Sequence, residues 1–270
     1  MKKHKSYPYN FAINDEYITQ PKKHFLSFLP PSLRFHANLI RIVLYSNIKT
    51  KFRIYDRYNW SASSYDVIHS LERIGVRFHI KGMKNYADNP GPFVFISNHM
   101  GTTETVVLPA LIQPVKSVVY VIKKELTTYP VFGPVGKARH PIIVGRQNPR
   151  EDLQVVLEEG SKRLADGRSI IIFPQKTRGI NLELKTFNSL GIKLAKRNNV
   201  SVIPIALKTD AWANGKKIKE LGKIDPSKEI KIEFGAPIQV KGNGSEEHQA
   251  VLDFIKSKYI EWGMEKHIVD

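Results

Sequence analysis

The chain has 270 residues, 41% of them hydrophobic, and no cysteine; that is enough apolar content for one large α/β domain and excludes disulfides, zinc–thiolate sites and cysteine nucleophiles. A formal charge of +17 points to anionic partners such as a membrane surface, nucleic acid or an acidic carrier protein. No run approaches the roughly 18–20 apolar residues that span a bilayer, and the polar start MKKHKSYPYN has no signal-peptide apolar stretch, so an intracellular chain that neither spans nor is exported is expected.

Residues 1–30 are polar and aromatic and are interrupted by Pro8, Pro21, Pro30 and Pro31, which reads as an extended arm. Basic residues concentrate early: residues 1–60 hold eleven Lys and Arg against three acids, a local +8. Residues 31–75 read as helical. The stretch PPSLRFHANLIRIVLYSNI places Leu33, Ala37, Ile40, Leu44 and Ile48 on one face and Arg34, Asn38 and Arg41 on another, an amphipathic pattern that suits either a cover for the core or a membrane surface. Val67, Ile68, Leu71 and Ile74 recur at helical spacing and predict a second helix over about 64–74, ended by Gly75. A strand from Val76 to Ile80 should follow.

Residues 76–270 form the expected α/β domain. Six β-rich runs succeed one another from residue 91: FVFIS, SVVYVI, PIIVG, SIIIFP, VSVIPIAL and EIKIEFG. Helical patterns lie at 150–165 and 188–198, and a last helix starts at Ser245 as its N-cap. Strand–helix alternation of this kind predicts a mainly parallel sheet flanked by helices. Ligand sites in such sheets form beyond the carboxyl ends of the strands, so the loops after FVFIS, PIIVG and SIIIFP carry the functional reading.

After FVFIS come Asn98, His99, Thr102, Thr103 and Glu104. Five residues apart on one helix, His99 and Glu104 would diverge by about 140°. With His99 in the loop and Glu104 in the first helical turn they can meet, and the carboxylate then holds Nδ1–H and leaves Nε2 as a base. This is the histidine–carboxylate half of a triad without an enzyme nucleophile, which the substrate would supply. Arg146 follows PIIVG, and Lys176 and Arg178 follow SIIIFP, each at a strand end; converging near His99 they would make an anion pocket. Thr177 and Gly179 suit a tight, backbone-exposing turn beside it. Nucleophile-elbow, zincin, phosphate-loop and dinucleotide motifs do not occur in the sequence.

Four ordered blocks, SNHMGTTE, PIIVGR, IIIFPQKTRG and VIPIAL, resemble the motifs of the glycerolipid acyltransferases typified by 1-acyl-glycerol-3-phosphate acyltransferase. The resemblance covers roughly residues 76–240. It implies acyl transfer from acyl-CoA or acyl carrier protein to the hydroxyl of a lysolipid, with His99 as general base, Glu104 orienting it, and Arg146, Gln175, Lys176, Thr177, Arg178 and Gly179 around the acceptor's anionic head. It implies no metal, no bound cofactor and no nucleic acid. It also implies that residues 31–75 associate with an anionic membrane on its cytoplasmic side, as a peripheral or monotopic seat.

Two departures stand out: Glu104 replaces the family's Asp, and Gln175-Lys176 replaces its Glu-Gly. The first lengthens the relay by one methylene. The second exchanges a carboxylate and a glycine for an amide and a cation, so the lysolipid acceptor need not be plain lysophosphatidic acid; a larger phospholipid or an amino-acid-containing lipid is an alternative. Two alternatives differ in consequence. A relative with impaired catalysis would keep membrane binding only. A nucleic-acid binder would use Tyr55, Tyr58 and Trp60 amid Arg53 and Arg57.

Overall fold

The structure of the protein is a computed structural model that describes residues 6–20, 28–129, 132–145, 147–216 and 218–270. In chain order the elements are β1 (Tyr17–Ile18), α1 (Pro31–Lys51), α2 (Arg57–Glu72), β2 (Phe78–Lys81), α3 (Lys84–Ala87), β3 (Val94–Ser97), α4 (Thr103–Ile112), β4 (Val118–Lys123), α5 (Phe132–Lys137), β5 (Ile142–Val144), α6 (Pro149–Ala165), β6 (Ser169–Ile172), β7 (Leu182–Glu183), α7 (Leu190–Asn198), β8 (Val202–Lys208), β9 (Ile230–Phe234), α8 (Ser245–Glu261) and β10 (Ile268–Val269).

Eight strands form one sheet in the order β1-β2-β9-β8-β3-β6-β4-β5, and β7 pairs with β10 separately. Strands β8, β3, β6, β4 and β5 run parallel to one another and β2 runs parallel to β9, whereas β9 is antiparallel to β8 and β1 to β2. The mainly parallel α/β architecture expected from the sequence is therefore the one observed, and each of the six β-rich runs is a strand.

Every residue of β3 and β6 is buried, as befits strands covered on both faces. Successive side chains alternate between two apolar layers. Phe95, Ile171, Ile203 and Ile205 join Phe35, Leu39, Val67, Leu71 and Leu108 on the side of α1, α2 and α4. Val94, Ile96, Ile170, Ile172 and Val202 join Val156, Leu164, Ile192, Leu194 and Ile255 on the side of α6, α7 and α8.

The first helix buries Phe35, Leu39, Ile42, Val43 and Ser46. The row singled out in the sequence, Leu33, Ala37, Ile40, Leu44 and Ile48, is its exposed face; the core is covered by a different stripe of the same helix. The second helix starts at Arg57, earlier than its apolar spacing suggests, because the Asp56 side chain accepts from the Asn59 N–H and caps it. Gly75, at φ 101, does follow its end. The last helix corrects the expected cap. Ser245 is its first helical residue, preceded by Gly244 at φ 86, and the Ser245 N–H is accepted by Asn243 Oδ1 at 2.9 Å.

Candidate active site

Parallel pairing sets the carboxyl ends of β8, β3, β6, β4 and β5 along one edge of the sheet, and the three loops chosen from the sequence leave from there. His99 sits two residues past β3. Asn98 locks the start of its loop: fully buried, it accepts from the Leu207 N–H at 2.9 Å and donates to the Leu207 carbonyl at 2.9 Å and to the Tyr259 hydroxyl at 3.1 Å. Strand β8 and helix α8 thus fix where the next residue points.

His99 Nδ1 meets Glu104 Oε1 at 2.9 Å. The same oxygen accepts the Met100 N–H at 2.6 Å and the Gly101 N–H at 2.7 Å, and Oε2 accepts the Thr209 hydroxyl at 2.7 Å. Glu104 is wholly buried in the first turn of α4, where the helix N-terminus favours a negative charge. Burial by itself raises its carboxyl, but the hydrogen bonds from His99, Gly101 and Thr209 and the attraction of the imidazole bring it below its ordinary 4.5. A carboxylate that is ionised and acceptor-only takes the proton side of Nδ1, so Nε2 carries the lone pair. The imidazole lies flat on Phe173, with ring centroids 4.1 Å apart at 14°.

The loop after β6 clasps the same residue. The His99 N–H donates to Gln175 Oε1 at 2.7 Å, and the His99 carbonyl accepts the Gly179 N–H at 3.0 Å. Gln175 Nε2 donates to the Asn181 carbonyl at 2.9 Å. Gln175 is only 4% exposed and both its amide atoms are engaged, so it lies under the His99 backbone. The Gly179 N–H is likewise turned to that backbone.

Lys176, Thr177 and Arg178 do line the cavity that opens beside His99. Arg178 is held on two sides, Nη1 donating to Thr102 Oγ1 at 2.9 Å and Nη2 to Glu220 Oε1 at 3.0 Å. Thr102, which directly precedes α4, makes no side-chain capping bond and its hydroxyl oxygen accepts from this guanidinium instead. Arg146 lies outside the described residues.

The cavity measures about 520 Å³. Part of its lining comes from α1, α2 and the turn between them, through Leu39, Val43, Tyr55, Trp60 and Val67, and part from α4, β4 and α5. Ring contacts trace it inward from His99: Phe173 to Tyr120 at 6.1 Å, Tyr120 to Trp60 at 5.8 Å, and the Arg139 guanidinium 5.3 Å from Trp60. Tyr55 and Trp60, which in the sequence suit base stacking, are buried in this wall. Sequence reasoning missed Thr209, Glu220 and Arg139. Thr209 directly follows β8, a strand-end position outside the three loops chosen; the other two carry no local signal. A cavity lined largely by apolar side chains, with His99, Lys176 and Arg178 in its lining, suits an amphiphile with a polar head.

Residues 77–208 match the sequence model of the family described as Acyltransferase. The chain is 31% identical over 132 residues to the 1-acyl-sn-glycerol-3-phosphate acyltransferase of Pseudomonas aeruginosa, covering 49% of each chain. It is 29% identical over 104 residues to a lyso-ornithine lipid O-acyltransferase of Rhizobium meliloti, covering 38% of this chain and 33% of that one. The chain spans about half the length of the curated relatives it matches. A crystal structure of the 1-acyl-sn-glycerophosphate acyltransferase PlsC from Thermotoga maritima superposes with a TM-score of 0.64 at 17% identity, over 86% of this chain and 95% of that one, a likeness of fold. The resemblance to the glycerolipid acyltransferases read from the four motifs is thereby shown.

Proposed function

We propose that this chain transfers a fatty acyl group from an acyl thioester, acyl-CoA or acyl carrier protein, to the hydroxyl of a lysophospholipid or related lysolipid. The observation that carries the reading is the His99–Glu104 pair, 2.9 Å apart, with His99 lining a cavity of about 520 Å³ whose walls are largely apolar and include the cations Lys176 and Arg178. His99 Nε2 takes the acceptor's hydroxyl proton as the oxygen bonds to the thioester carbonyl carbon. When the carbon–sulfur bond breaks, the imidazolium returns that proton to the leaving thiolate. Glu104 holds the tautomer and stabilises the imidazolium between these steps. The apolar wall of α1 and α2 receives the acyl chain, and Arg178 with Lys176 and Thr177 receives the acceptor's head.

The relatives support a lysolipid acceptor, since the names of two of them specify 1-acyl-sn-glycerol-3-phosphate and lyso-ornithine lipid. A membrane seat accords with the exposed row Leu33, Ile40, Leu44 and Ile48 on α1, apolar residues next to Arg34 and Arg41 that suit an anionic surface. No helix among the described residues is long and apolar enough to cross a membrane, so the seat proposed is peripheral, on the anionic cytoplasmic leaflet.

The test is thiol release from palmitoyl-CoA and palmitoyl carrier protein, across a panel of lysolipids with product mass spectrometry. Wild type should turn over with at least one acceptor, and His99→Ala should lose at least about a hundredfold, the usual size of general-base catalysis. Near-normal turnover in that variant would remove His99 from the chemistry.

A further inference from the structure

We propose that Glu220 reads the acceptor's head group: with Arg178 it forms a paired-charge site that takes a zwitterionic lysolipid, one bearing an ammonium beside an anion, in preference to a phosphomonoester. The inference rests on the acyl-transfer reading only in seating the acceptor at the cavity mouth beside His99. Arg178 and Glu220 both line that cavity. Their ion pair is 3.0 Å long, with side chains 17% and 10% exposed.

The carboxylate is held in a built loop. The Ala213 N–H donates to the Lys223 carbonyl at 3.0 Å, the Gly215 N–H to the Lys219 carbonyl at 3.0 Å, and the Leu221 N–H to the Ile218 carbonyl at 3.0 Å. A Cβ on Gly222 would run into the Ala213 carbonyl, so the strands of this loop cross where only glycine fits. Glu220 is thereby set against Arg178, while its neighbour Lys219 is exposed.

An acceptor phosphate that binds Arg178 must either share the guanidinium with Glu220 or draw it away. Either way a nearly buried carboxylate ends beside an incoming dianion with its own share of the cation reduced, an unfavourable arrangement. A zwitterion exchanges partners instead: its anion goes to Arg178, its ammonium goes to Glu220, and every charge keeps a counterpart. Lys176 and Lys219 also line the mouth and draw an anion towards it. Both are exposed, where solvent and salt screen them, and neither offers an ammonium an acceptor.

The test measures equilibrium binding of lysophosphatidate, lysophosphatidylethanolamine and a lyso-ornithine lipid, matched in acyl chain and carried in non-ionic micelles, to wild type, Glu220→Gln and Glu220→Asp. Wild type should bind at least one zwitterion tenfold or more tighter than lysophosphatidate. Glu220→Gln should bring that ratio to threefold or less, and Glu220→Asp should retain most of it. The two zwitterions distinguish a phosphate-borne from a carboxylate-borne anion. Lysophosphatidate binding to wild type as tightly as both zwitterions would overturn the proposal, as would Glu220→Gln weakening all three lipids alike, the signature of a residue that only positions Arg178. Thiol release with the same lipids judges the acyl-transfer reading apart: discrimination without turnover would sink that reading and keep the role of Glu220, and turnover without discrimination would do the reverse.

Discussion

At the scale of single residues, the Glu104 carboxylate is wholly removed from water and accepts four hydrogen bonds, from His99, two backbone N–H groups and Thr209. Glu104→Gln keeps the shape but turns an amide N–H₂ towards donors. The expected result is a loss of roughly 1–3 kcal/mol in urea unfolding together with a steep fall in thiol release. Glu104→Asp keeps the charge and withdraws it by a methylene, so its effect on turnover should lie between wild type and Glu104→Gln; equal effects of the two would argue against a charged orienting role. Because the folded carboxyl titrates below 4.5, its stabilisation is fully present above that pH and is lost as pH falls through the folded value. Melts between pH 6 and pH 3 should show this loss in wild type and a shallower one in Glu104→Gln. Gln175→Glu, which restores the family residue, still accepts from the His99 N–H but sets a carboxylate oxygen against the Asn181 carbonyl; a loss of about 1–3 kcal/mol is expected in the same assay. The His99–Glu104 meeting was legible because a strand end, a loop histidine and a first-turn acid lie within eight residues. Thr209 was not, since it stands 105 positions from Glu104 and only the pairing of β3 with β8 brings it near.

Helix α1 shows what periodicity reveals about an element and what it hides. The sequence marks an amphipathic helix correctly, yet the helix has two apolar stripes. Phe35, Leu39, Ile42 and Val43 are buried, and Leu33, Ile40, Leu44 and Ile48 are about half exposed. Hydrophobicity alone cannot say which stripe meets the core, because that depends on what α2 and the cavity present to it. The two stripes should answer differently to mutation. Leu39→Ala should cost about 2–5 kcal/mol as a buried truncation and also open the cavity wall. Ile40→Glu with Leu44→Glu should leave the melting temperature nearly unchanged and strip the protein from anionic vesicles in a flotation assay; undiminished flotation would take the membrane seat away from this face. The same region also serves the candidate site, since Leu39, Val43, Tyr55 and Trp60 line the cavity beside His99.

For the whole molecule, the alternation of strands and helices was enough to specify a mainly parallel sheet and to choose the edge where the site lies, because β3 and β6 pair in parallel and end together. The separation of acidic partner from cation was not readable: Glu220 reaches Arg178 through a loop whose crossing depends on glycines with no strand or helix period. The charge of +17 acts at this scale as well, and vesicle binding should weaken as salt rises from low to physiological ionic strength and beyond. In the proposed reaction the acceptor's hydroxyl, deprotonated by His99, attacks the thioester with no acyl-enzyme between. Mixing protein with stoichiometric palmitoyl thioester, following thiol release in the first turnover and weighing the intact protein, with and without lysolipid, decides this. No thiol burst and no palmitoyl mass on the protein are expected without an acceptor, and release should require both acceptor and His99. A burst of one thiol per chain with a palmitoylated protein would overturn direct attack, since the enzyme itself would then hold the nucleophile.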